Sequence, residues 1–126
     1  MAHCQVPCGI YADDNVFVGM EKDAETIKKA MEQVAGGKLD VNQQVRWVNN
    51  KESHAQSIQD TVAKYFLAQR IKTSEAESSP KTYAKKLALL HQITVLAMKC
   101  KQTVDTANAD KLTKAIADFK AAYKAK

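Results

Sequence analysis

Four stretches of the chain carry apolar residues at intervals of three and four, which is the period of one face of an α-helix. The first ends at Gly36-Gly37, since glycine commonly follows a helix C-terminus. The third follows Ser79-Pro80, a capping residue with proline at the first helical position. The four stripes are Phe17, Met20, Ala24, Ile27, Met31 and Val34; Val41, Val45, Val48, Ala55, Val62 and Phe66; Tyr83, Leu87, Leu90, Ile93, Leu96 and Cys100; and Leu112, Ile116, Phe119 and Tyr123.

Short polar segments separate these stretches. The second helix is predicted to begin near Asp40 and to fade between Thr73 and Ser78, and the third to end at about Val104. Thr106-Ala107-Asn108 is predicted to be a short break before the last helix. Four amphipathic helices with short connections bury their apolar stripes most simply as an antiparallel bundle. We therefore predict an all-α fold, an antiparallel four-helix bundle.

The composition agrees with one compact helical domain. A chain of 126 residues that is 45% hydrophobic can build one core, and 4 glycines with 2 prolines argue against a turn-rich β protein. We predict a single domain over residues 1–126, with an irregular N-terminal hook and short leader at 1–13 and the bundle at 14–126. No apolar run approaches the roughly 18 to 20 residues of a transmembrane helix, so we expect no membrane contact and a cytoplasmic location.

The formal net charge is +5, from 19 basic and 14 acidic side chains. Only Arg46 and Arg70 are arginines, and no arginine-rich stripe or reading motif is present, so we expect no nucleic-acid partner. The lysines are spread over all the predicted helices, as on an ordinary solvated surface. A positive field of this kind can also raise the arrival rate of a small anion.

The predicted hook contains a dense set of soft metal donors. His3, Cys4 and Cys8 lie within six residues, and Pro7 and Gly9 suit a chain that turns tightly to bring Cys8 beside Cys4. A structural zinc site would need four side-chain ligands. With three, the backbone supplies the missing donors or the metal has fewer ligands. Nitrogen and thiolate donors arranged in a plane suit Ni(II).

The run from His3 to Tyr11 resembles the nickel-hook motif of nickel superoxide dismutases, His-Cys-x-x-Pro-Cys-Gly-x-Tyr. Residues 46–55 also resemble the second helix of that family. The resemblance implies a superoxide dismutase, an antioxidant oxidoreductase that disproportionates superoxide to oxygen and hydrogen peroxide. It further implies one mononuclear nickel ion per subunit, cycling between Ni(II) and Ni(III), and a homohexamer of four-helix bundles.

The resemblance also implies a role for each hook residue. Cys4 and Cys8 would supply thiolates, and the backbone nitrogen of Cys4 would be a further ligand. His3 would bind nickel through its free amine and its imidazole, which implies a processing peptidase that removes Met1-Ala2. Tyr11 would be the catalytic residue over the open face, ordering water and screening superoxide, although it can equally be a hydrophobic anchor for the hook.

Relatives commonly carry a glutamate on the first helix that hydrogen-bonds the hook histidine. This chain has no acid at that position, and the nearest acid is Glu21. Gln5 stands where relatives often have an acidic residue. On the second helix, His54 is either a partner of the hook or an ordinary half-buried histidine.

The remaining apolar positions indicate a core cysteine and an oligomer. Cys100 follows Ile93 and Leu96 on the third stripe, so a small core residue is expected there rather than a ligand. One core is not expected to cover all of the apolar surface, and the side chains left over are Val95, Met98, Trp47 and Phe17. We predict a homo-oligomer.

Two other functions fit the same residues. One is a non-catalytic nickel- or copper-binding helical-bundle protein, such as a metal carrier. It is favoured by Met1-Ala2-His3, which places a histidine third from a free amine. The other is a basic interaction protein whose cysteines are incidental, or joined in a local Cys4–Cys8 disulfide.

Overall fold

The computed structural model describes residues 4–8 and 12–125, which form helices and contain no strand. The all-α fold class is thus confirmed. The helix that begins at Val41 is α-helical as far as Thr61 and continues without a break as a π-helical segment, Val62–Arg70. The α-helices are α1 Asp13–Ala35, α2 Val41–Thr61, α3 Glu75–Ser78, α4 Pro80–Gln102 and α5 Thr106–Lys124.

The four long helices pack side by side, with α1 and α4 each contacting both α2 and α5. Side-chain pairs give their directions. Asp23 of α1 pairs with His54 of α2, whereas Asp13, earlier in α1, contacts Tyr65, which is later in the chain. The two helices are therefore antiparallel. The same reversal relates α1 to α5 through Asp14–Lys124 and Lys28–Asp110, and α2 to α4 through Lys51–Cys100 and Gln59–Thr94.

The predicted break before the last helix was wrong by one turn. Thr106, Ala107 and Asn108 form the first turn of α5, because the Asp105 carboxylate accepts a hydrogen bond from the backbone N–H of Ala107 at 3.0 Å. An aspartate in this position satisfies a donor that the helix itself leaves unpaired. The actual break is at 103–105, and α4 ends at Gln102.

The apolar stripe predicted along α2 is correct only in its second half. Ala55, Val62 and Phe66 are buried, but Val41 and Val45 keep 75% and 51% of their surface exposed. The reason is the length of the neighbouring helix: α4 ends beside Lys51, so the first turns of α2 extend past it.

Lys51 is itself buried at the end of α4. Its ammonium donates to the backbone carbonyls of Cys100 and Lys101 at 2.5 and 2.6 Å. These carbonyls belong to the last turn of α4, where a helix has no acceptor partners of its own. Burial lowers the pKa of Lys51, and the two hydrogen bonds provide the compensation that a buried cation needs.

An aromatic cluster fills the end of the bundle where α1 begins. Phe17, Phe66, Phe119 and Tyr123 pack with ring centroids 4.9–5.8 Å apart, in tilted and edge-to-face arrangements. Phe17 is fully buried here, so its assignment to exposed apolar surface was wrong. No helix among the described residues combines the length and apolarity needed to cross a membrane.

Candidate metal centre

Two thiols approach each other in the N-terminal hook. Cys4 Sγ and Cys8 Sγ lie 3.8 Å apart, which is too far for a disulfide bond between the two atoms. Cys4 is exposed and Cys8 is half-buried. The peptide bond between Val6 and Pro7 is cis.

The spacing of the two sulfurs fits one bound metal ion. A metal–thiolate bond is about 2.3 Å long, so two thiolates on one ion are separated by at most about 4.6 Å. The 3.8 Å between Cys4 and Cys8 satisfies this limit. Thiolates select soft transition metals. Within residues 4–8 and 12–125 no three His, Cys, Asp or Glu side chains form a metal-binding group, so further donors must come from the backbone or from His3, which lies outside these ranges.

Gln69 connects the hook to the bundle. It lies on the π-helical segment and is only 6% exposed. Its Oε1 accepts a hydrogen bond from the Cys4 thiol at 2.5 Å, and its Nε2 donates to the Pro7 carbonyl. The same nitrogen donates to the Lys64 carbonyl at 3.3 Å. Both ends of one amide thus hold the hook.

A second polar cluster lies where the hook enters α1. The Asp13 carboxylate accepts hydrogen bonds from the Tyr65 hydroxyl, from Arg70 Nη2 at 2.8 Å and from the Tyr123 hydroxyl at 3.0 Å. Arg70 Nε also donates to the Tyr123 hydroxyl at 3.0 Å. One carboxylate therefore joins α1, the π-helical segment and α5. Asp13 also occupies the first helical turn, where a negative charge is favourable.

The cluster shifts the protonation equilibria of its members. Burial alone would raise the pKa of Asp13, but the hydrogen bonds from Tyr65, Arg70 and Tyr123 outweigh it and bring the pKa below 3.8. Burial, with the nearby Asp13 carboxylate, raises the pKa of Tyr65 well above its usual value. The hydrogen bond to Asp13 raises the pKa of Arg70. Burial also raises the pKa of Tyr123, so at neutral pH the cluster holds an ion pair and two protonated tyrosines.

Comparison with protein families identifies the family of the chain. The family model described as nickel-containing superoxide dismutase matches residues 1–126, the whole chain. The chain belongs to the nickel-containing superoxide dismutase family. It is a nickel-dependent oxidoreductase that acts on superoxide, and nickel is its cofactor. Comparisons with curated proteins and with solved structures gave no match.

This family membership does not support the two non-catalytic alternatives. The dismutase does, however, depart from the predicted surroundings of the hook. Glu21, the acid nearest to the family's glutamate position, forms an ion pair with Lys120 at 3.2 Å. His54 pairs with Asp23 at 2.7 Å, so it is a half-buried histidine of the helix interface. Neither side chain contacts residues 4–8, the part of the hook that the structure describes.

Several predicted site residues of the dismutase lie outside the described residues, namely His3, Gly9 and Tyr11. Cys100 is placed as predicted, fully buried in the core. Burial raises the pKa of its thiol to about 11, which agrees with a packing role rather than ligation.

Sequence reasoning missed the residues of the dismutase that anchor the hook. Gln69 could have been found, because it follows Phe66 by three positions and so continues the buried stripe of α2. A polar side chain on an apolar stripe has to find a hydrogen-bond partner. Asp13 gave no such signal, since acidic residues are common in the first turn of any helix.

A groove of about 740 Å³ runs between the hook and α2. Val6 and Pro7 form its hook side. Its charged lining residues are Lys64 and Lys101 against Glu52 and Asp60, so positive charge is balanced by negative charge beside the hook. Attraction of an anion to the dismutase would therefore depend on the net charge of the whole molecule.

Proposed function

We propose that this dismutase disproportionates superoxide at one nickel ion per subunit, held in the hook and cycling between Ni(II) and Ni(III). In the overall reaction, two superoxide anions and two protons give one molecule each of oxygen and hydrogen peroxide. The observation that supports this proposal is the close approach of the Cys4 and Cys8 sulfur atoms, 3.8 Å apart, at the anchored end of the hook.

Each hook residue contributes a specific kind of donor in this proposal. Bound nickel supplies the one-electron redox chemistry. Cys4 and Cys8 contribute electron-rich thiolates, which favour the higher oxidation state of the metal. The backbone nitrogen of Cys4 and the amine and imidazole of His3 complete the donor set.

Two tyrosines have proposed roles around the metal. Tyr11 would order water and screen the approach of superoxide to the metal. Tyr65 keeps its hydroxyl proton at neutral pH, because burial and the Asp13 carboxylate raise its pKa. It therefore donates a hydrogen bond to Asp13 and fixes the base of the hook.

The free amine of His3 exists only once Met1 and Ala2 are removed, because an amide nitrogen is a different donor from a primary amine. We propose that a peptidase removes them. We expect the chain that retains Ala2 to bind nickel weakly and to be nearly inactive. A designed protease cut that exposes His3 should restore nickel binding, a thiolate–nickel absorption band and superoxide turnover.

The test measures nickel content and dismutase rate of the two forms at equal concentration. In the cut form, Cys4→Ser and Cys8→Ser should each abolish turnover while the helix content stays unchanged. Cys100→Ser is the matched control, and it should keep full activity with some loss of thermal stability. Full turnover in either hook variant would overturn the assignment of the thiolates, and equal turnover before and after the cut would overturn that of the amine.

A further inference from the structure

We propose that Gln69 is a positioning residue for the nickel hook, which its side-chain amide holds in shape before any metal binds. The proposal rests on the proposed function in one respect, that the hook is the nickel site. It adds a residue of the bundle to the requirements for metal binding. Gln69 touches Cys4 and Pro7, two residues on either side of the turn that brings Cys4 and Cys8 together.

The orientation of the amide follows from its acceptors. Nε2 faces two backbone carbonyls, those of Pro7 and Lys64. A carbonyl accepts but cannot donate, so the nitrogen must face this side and Oε1 must face Cys4. Turning the amide over would set Oε1 against the two carbonyls. The bundle thus fixes the direction in which Gln69 offers its acceptor to the hook.

Burial makes these contacts effective. Gln69 is 6% exposed, whereas Cys4 is exposed. A buried amide that lost its partners would remain desolvated without compensation, so its hydrogen bonds to the hook are not readily exchanged for water. A hook already held near its bound shape loses less conformational freedom when it takes up a metal ion.

A matched control lies on α2. Gln59 also uses both ends of its amide, because Nε2 donates to the Thr94 carbonyl at 3.1 Å and Oε1 accepts from Lys101 at 3.0 Å. These contacts join α2 to α4 rather than to the hook. Methionine has nearly the shape of glutamine without its polar atoms, so Gln69→Met and Gln59→Met remove equivalent groups from two places.

The first measurement is the backbone order parameter of Cys4, Gln5, Val6 and Cys8 in the full, metal-free chain, obtained from NMR relaxation. We expect Gln69→Met to lower these order parameters from about 0.85 to below about 0.6, the range of flexible backbone, because the hook loses its contacts with the bundle. Gln59→Met should leave them at the wild-type values. Unchanged order in Gln69→Met, or an equal loss in Gln59→Met, would overturn the proposal.

Gln69→Asn keeps a polar amide at this position, so it should fold where Gln69→Met does not. Its side chain is one methylene shorter and cannot reach both Cys4 and Pro7. It should also release the hook. Wild-type order parameters in this variant would count against positioning by Gln69, even if Gln69→Met folds poorly.

The second measurement is the rate at which nickel passes to a chelator from protein cut before His3. Cys4 would bind nickel as a thiolate, which has no proton to donate to Gln69 Oε1, so the contact that would persist in the loaded protein is the one from Nε2 to the Pro7 carbonyl. Since one net hydrogen bond is then lost, we expect release roughly threefold faster from Gln69→Met than from wild type or Gln59→Met, with the thiolate–nickel band retained at saturating nickel. Equal release rates would overturn the role of Gln69 toward the metal. A wild-type chain that takes up no nickel would instead contradict the proposed function, and the comparison of order parameters would still decide whether Gln69 holds the hook.

Discussion

Asp13 shows how a single carboxylate can join three parts of the molecule. Its partners Tyr65, Arg70 and Tyr123 lie 52, 57 and 110 residues further along the chain. The side chain is about a quarter exposed, so it is better shielded from solvent than most surface ion pairs. We infer that this cluster fixes the start of α1, and with it the point from which the hook departs.

We predict that Asp13→Asn lowers the free energy of unfolding by about 2 kcal/mol at neutral pH, because it leaves Arg70 and two hydroxyl groups without their anionic partner. The folded-state pKa of Asp13 is below 3.8, so the unfolded chain binds this proton first as pH falls. The difference in free energy of unfolding between wild type and Asp13→Asn should therefore be largest above about pH 5 and disappear as pH falls through the folded-state pKa. Urea unfolding across this range measures it.

Asp14→Asn is the control for that comparison. Asp14 pairs with Lys124 at the surface, where its side chain is 75% exposed. Solvent screens such a pair, so the change in stability should be clearly smaller. An Asp13→Asn variant no less stable than Asp14→Asn would contradict the role given to the cluster.

At the scale of elements, the end of α4 is held by a lysine from a neighbouring helix. Lys51 caps the carbonyls of Cys100 and Lys101, and it is 2% exposed. The same contact marks where α4 stops beside α2. The end of α4 and the register of the two helices are thus set together.

We predict that Lys51→Met lowers the free energy of unfolding by about 2 kcal/mol, since it leaves two buried carbonyls unpaired. Lys99→Met, at an exposed position of α4, should change it little. The folded-state pKa of Lys51 lies below 10.5. The unfolded chain therefore binds more protons between the two pKa values, and the stability of wild type relative to Lys51→Met should rise as pH approaches 10.5. Chemical unfolding at neutral and alkaline pH tests both statements. A difference in free energy of unfolding between wild type and Lys51→Met that stays constant with pH would contradict a buried, charged Lys51.

At the scale of the whole molecule, the first turns of α2 leave an apolar surface uncovered. Val41, Val45 and Val48 are 75%, 51% and 37% exposed, and Trp47 is half-buried beside them. Contiguous exposed apolar groups often mark a protein interface. We propose that this surface contributes to a homo-oligomer, a hexamer if the assembly follows the family resemblance.

Light scattering should show an oligomer for wild type, and Val45→Lys should shift it toward smaller species without loss of helix. Val18→Lys is the control, because Val18 is similarly exposed, at 44%, on α1. Wild-type protein that is monomeric at every working concentration would contradict the assembly. Equal dissociation by both lysine variants would contradict the placement of the interface on α2.

Local patterns in the sequence were sufficient for the helices, and they point to a set of metal donors. The period of three and four predicted all four long helices, because helical geometry puts such residues on one face regardless of what covers it. His3, Cys4 and Cys8 were recognisable as a donor set because they are neighbours in the chain. The placement of Cys100 in the core followed from its stripe.

Tertiary structure decided which parts of those patterns are used. The valine stripe of early α2 is exposed because α4 ends beside Lys51, and the length of one helix is not encoded in the periodicity of another. Gln69 and Asp13 acquired their roles from partners dozens of residues away. Such contacts depend on how helices align when they pack. The sequence by itself determined the helices and proposed the donors of the hook, whereas the folded bundle decided what holds the hook in place.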